Sequence, residues 1–73
     1  MDFKVGGVVR IFYNDLNIGL GVLKQAHQKG DKKLSILVTE VYEINLLSSE
    51  LLLDKEFKEG SIISWNIKNL EPQ

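Results

Sequence analysis

The residue types that support catalysis are sparse in this chain. It holds one histidine and no cysteine. His27 lies in the polar stretch 25–33, with no second histidine and no thiolate to complete a metal set. A single histidine also makes no Ser-His-Asp triad. The acidic residues Glu40, Glu43, Glu50, Asp54, Glu56 and Glu59 are scattered, and no pair has a spacing that demands general acid–base work. Gly19-x-Gly21 has the outline of a phosphate loop, but no helix is expected after it to supply the backbone N–H cradle. Neither catalysis, a metal nor a cofactor is therefore expected.

Binding chemistry is better represented. Phe12 and Tyr13 are consecutive, so on a strand they face opposite sides. One of them belongs to the core. The other, Phe12 on the same face as Arg10, is a candidate stacking platform flanked by a guanidinium. Lys24, Lys29, Lys32 and Lys33 cluster around the 25–33 loop, where they serve either as phosphate contacts or as a solvated surface. Trp65 alternates with Ile63 and Ile67 and reads as core.

The elements that must position these residues are strands. Residues 4–13 alternate Val9, Ile11 and Tyr13 with Val8, Arg10 and Phe12. Asn14-Asp15 suits a tight turn, because short polar side chains bond the local backbone and tolerate left-handed geometry. A second strand is expected over 18–26, with Gly19 and Gly21 marking a strand that curves or is closely approached. Gly30-Asp31 turns the chain into a third strand, 34–41, with Leu34, Ile36 and Val38 on one face and Ser35, Leu37 and Thr39 on the other. Residues 42–57 are ambiguous, and Ser48-Ser49-Glu50 has the form of a cap for one helical turn over Leu51–Leu53. Gly60 closes a turn before a last strand over 61–68.

Seventy-three residues allow one domain, spanning 1–73, with a small core and marginal stability. The expected class is all-β: a small closed or partly open barrel, because so short a sheet buries its apolar face only by closing on itself. An OB-type barrel is the first candidate and an SH3-like barrel the runner-up; composition does not separate them. The absence of cysteine excludes a disulfide framework and fits a cytoplasmic location. No apolar run approaches the ~20 residues of a membrane span. Net charge is −1, far from the strongly basic balance of nonspecific duplex binders. The sign is uneven, with six positive and three negative residues in 1–33 against three and seven in 34–73.

Three stretches resemble a cold-shock domain, in that family's order. Arg10 stands where the family has a basic residue, and Phe12-Tyr13-Asn14 resemble its aromatic pair and asparagine. Gly19-Leu20-Gly21-Val22-Leu23 is similar to its Gly-Phe-Gly-Phe-Ile, after a turn one residue longer. Phe57-Lys58-Glu59-Gly60, leading into Ile63, Trp65 and Ile67, resembles its last hairpin. The resemblance implies an OB-type barrel that binds single-stranded RNA or DNA without catalysis. Its binding residues would be Arg10, Phe12, Tyr13, Leu20, Val22, Lys24 and Leu37. It also implies a fifth strand, for which the chain looks too short.

Leu20 and Val22 stand where the family has phenylalanines, and the third strand carries no ring. Stacking contributes ~1–3 kcal/mol per base, so binding by such a face would be weak and salt-dependent. Leu20, Val22, Leu37 and Ile62 would instead form an aliphatic patch on the outer face. That patch, or an open strand edge, makes a protein-interaction module or a homodimer the alternative function.

Overall fold

A computed structural model describes residues 3–42 and 57–73. The helical turn anticipated at Ser48–Leu53 lies outside them. The described chain is all-β, with strands β1 (Val8–Tyr13), β2 (Leu16–Leu23), β3 (Lys33–Val41), β4 (Ile62–Asn66) and β5 (Leu70–Pro72). A 3-10 turn, Ile67–Asn69, separates the last two. All five form one antiparallel sheet in the order β4-β3-β2-β1-β5, which is not closed by a ladder between its edges.

The alternation read from the sequence decides which side of the sheet is dry. Val9 and Ile11 of β1, Ile18 and Leu23 of β2, and Leu34, Ile36 and Val38 of β3 are buried together with Phe57, Ile63 and Leu70. Tyr13, Trp65 and Ile67 pack against this cluster from its rim. Trp65 Nε1 donates to the Phe12 carbonyl oxygen at 2.9 Å, which draws β4 over the inner face toward β1. The sheet therefore curls around its core.

Two expectations are corrected. The chain is long enough for a fifth strand: Leu70 pairs with Ile11, Glu71 with Arg10 and Pro72 with Val9. The Gln73 N–H extends that pairing to the Val8 carbonyl at 2.9 Å. This is possible because β4 stops at Asn66 instead of running to Lys68. The Asn66 side chain accepts from the Lys68 N–H at 2.8 Å, capping the 3-10 turn that redirects the chain. Proline is tolerated at Pro72 because β5 is an edge strand. The second strand also begins earlier than expected, at Leu16, and ends at Leu23. Among the described residues, no helix is long and apolar enough to cross a membrane.

Candidate functional site: the outer face of the sheet

The geometry of the outer face begins at the β1–β2 turn. Asn14 and Asp15 both have positive φ, 50° and 64°, between the paired residues Tyr13 and Leu16. That is the two-residue hairpin turn whose twist matches the strands it joins. Phe12 pairs with Asn17 and Ile11 with Gly19, leaving Ile18 unpaired between them. The resulting bulge puts both Ile18 and Gly19 inside and turns Leu20 and Val22 outward.

The two glycines let β3 approach. A Cβ on Gly19 would collide with the Glu40 carbonyl oxygen, and one on Gly21 with Ile36 Cγ2 and the Leu37 carbonyl oxygen. A second bulge leaves Thr39 unpaired, so that Glu40 lies opposite Leu20 and Val38 opposite Gly21. Thr39 Oγ1 donates to the Leu20 carbonyl oxygen at 3.3 Å.

These registers align four aliphatic residues straight across the sheet. Val8 is opposite Val22, Val22 opposite Leu37, and Leu37 opposite Ile62. Val22 and Leu37 are half-buried by their neighbours, while Val8 and Ile62 are 40% and 60% exposed. The row holds no ring.

Polar residues flank it on both sides. On one side Glu71, Arg10, Leu20 and Glu40 are in register across β5, β1, β2 and β3. Arg10 Nη1 donates to Glu71 Oε1 at 2.8 Å. On the other side the Lys24 N–H bonds the Ser35 carbonyl at 2.9 Å, Ser35 is opposite Ser64, and Lys33 is opposite Asn66. The apolar row thus separates a side bearing Lys24 and Lys33 from a side bearing Glu40 and the neutralised Arg10–Glu71 pair.

Of the residues singled out from sequence, Arg10, Leu20, Val22 and Leu37 are brought together here. Phe12 stays on the same face but at its far end, lining a shallow hollow with Asp15, Lys68, Asn69, Leu70 and Glu71. Tyr13 packs against the core from the opposite face, apart from the others. Lys24 borders the row, whereas Lys29 and Lys32 stay with the exposed loop. That loop is closed on itself by the Asp31 N–H to the Gln28 carbonyl and the Gln28 N–H to Asp31 Oδ2, both 3.0 Å. His27 is exposed and meets Phe3 edge-on at 5.7 Å. Among the described residues, no three His, Cys, Asp or Glu side chains are grouped to hold a metal ion.

Two members of this face escaped the sequence reading: Val8 at one end of the row, and Glu71 as the partner of Arg10. The alternation Val8-Arg10-Phe12 already pointed outward. Its alignment with Val22 and Glu71 depends on a bulge and a fifth strand that alternation does not reveal. Comparison with protein-family models, with curated proteins and with solved structures returned no match.

Proposed function

We propose that this chain is a non-catalytic interaction module that docks a protein surface on the row Val8–Val22–Leu37–Ile62. The observation that carries this reading is the register itself, which makes one continuous aliphatic strip across four strands. Burying a Val, Leu or Ile side chain fully is worth ~1.5–3 kcal/mol. Covering what remains exposed of four such side chains yields several kcal/mol before the cost of association. Apolar patches of this kind mark contact surfaces.

The strand order favours the SH3-like barrel over the OB type. A Greek key lays its fourth strand beside the first. Here β4 lies beside β3 and it is β5, after a 3-10 turn, that returns to β1.

Single-strand nucleic-acid binding is the second reading, favoured by Phe12 beside Arg10 with Lys24 on the same face. One stacking ring supplies only ~1–3 kcal/mol, less than the 4.1 kcal/mol that corresponds to millimolar affinity. Arg10 is, moreover, already paired with Glu71.

Labelled oligo-dT and oligo-U, titrated at low salt and followed by anisotropy, separate the two. The docking reading expects a flat titration. It also expects a protein complex that forms with the wild type and is lost in Leu37→Lys, while far-UV circular dichroism shows the fold intact. Saturable oligonucleotide binding that weakens in both Phe12→Ala and Leu37→Glu would overturn it.

A further inference from the structure

The flanks of the apolar row carry information about what covers it. Lys24, beside Ser35, borders one side, with Lys33 two residues beyond Ser35, Glu40 borders the other, and the Arg10–Glu71 pair is internally neutral. Glu40 is opposite Leu20, two residues before Val22 on β2, and Lys24 is two residues after it. Both are therefore about 7 Å from the row at strand spacing.

Such a face is complementary to itself in one orientation. Two copies stacked face to face are related by a two-fold axis in the plane between them. An axis along the strands would lay lysine side on lysine side. An axis along the row exchanges the sides: row covers row, and the lysine side of each copy meets the Glu40 side of the other.

Resting on the docking reading above, we propose that the occupant of the row is a second copy of this chain. The dimer is isologous, with its two-fold axis parallel to Val8–Val22–Leu37–Ile62. Two symmetry-related contacts, Lys24 against Glu40 of the partner subunit, set the orientation. Sheets that stack in this way keep their strands within about 30° of alignment, which the long lysine side chains accommodate. The apolar row provides affinity, and the charges select the axis.

Sedimentation equilibrium of the full chain over a concentration series, with circular dichroism to certify folding, tests this. The wild type is expected to dimerise reversibly. Leu37→Lys should be monomeric, with at least a tenfold weaker association. Lys24→Glu and Glu40→Lys should each weaken the dimer several-fold, and the double variant Lys24→Glu/Glu40→Lys should regain most of the loss. A wild type that stays monomeric at millimolar concentration overturns self-association but leaves a different protein partner for the row. Oligonucleotide binding on this face overturns the docking reading itself. A dimer indifferent to Leu37→Lys, or one lost in both charge variants and not regained in the double variant, overturns the proposed packing.

Discussion

The Trp65 indole N–H reaches across the inner face to the backbone carbonyl of Phe12, 53 positions earlier in the chain. Trp65 lies on the edge strand β4 and Phe12 on β1, with two strands between them in the sheet. This one hydrogen bond links strands that no ladder joins, and the ring beside it packs on Phe57 at 5.8 Å. The curl that encloses the core thus rests partly on a side chain.

Trp65→Phe keeps an aromatic ring in place and leaves the Phe12 carbonyl without its donor. The loss of a hydrogen bond of this kind is expected to cost about 1 kcal/mol. In a domain of this size that corresponds to a drop in Tm of roughly 4–8 °C, measurable by far-UV circular dichroism. An unchanged Tm would show that the bond contributes nothing to closure.

Gly21→Ala places a methyl group against Ile36 Cγ2 and the Leu37 carbonyl oxygen. Neither neighbour yields easily, because Ile36 is fully buried and Leu37 is held in the β2–β3 ladder. Overpacking of this sort costs ~1–3 kcal/mol. Whole-domain stability runs at only ~0.05–0.15 kcal/mol per residue, so urea denaturation should show a sharply lowered midpoint. Gly19→Ala, directed at the Glu40 carbonyl, should behave likewise.

Asp15→Gly should act in the opposite direction. Asp15 has φ of 64° in a two-residue hairpin, a conformation that costs a non-glycine residue roughly 1 kcal/mol. Asn-Gly is the preferred pair for this turn. The variant is expected to gain up to ~1 kcal/mol, read as a raised urea midpoint with an unchanged slope. A lowered midpoint would mean that the Asp15 carboxylate contributes more than its backbone strain costs.

The Arg10–Glu71 bridge should contribute little to stability. Its two side chains are 41% and 44% exposed, and surface pairs of this kind are worth ~0.2–1 kcal/mol, less at high salt. A double-mutant cycle with Arg10→Gln and Glu71→Gln should return a coupling energy within that range. A coupling of 2 kcal/mol or more, by this same yardstick, would assign the bridge a larger part in holding β5.

What the sequence determined by itself is local. Alternation placed Val9, Ile11, Leu34, Ile36 and Val38 on one side and Arg10 and Leu37 on the other, while the outward facing of Leu20 and Val22 followed only from the resemblance to a cold-shock domain. Asn14-Asp15 announced the turn, and Gly19-x-Gly21 announced a close approach. These features follow from the two-residue period of a strand and from the conformational reach of a few residue types. Tertiary structure decided the rest. The aliphatic row exists because two bulges, at Ile18 and Thr39, set which residues lie opposite one another across β1, β2, β3 and β4. The pairing of Arg10 with Glu71 exists because a 3-10 turn brings three final residues back to the first strand. Register between strands distant in sequence is chosen by the packing of the whole sheet, and no local pattern contains it.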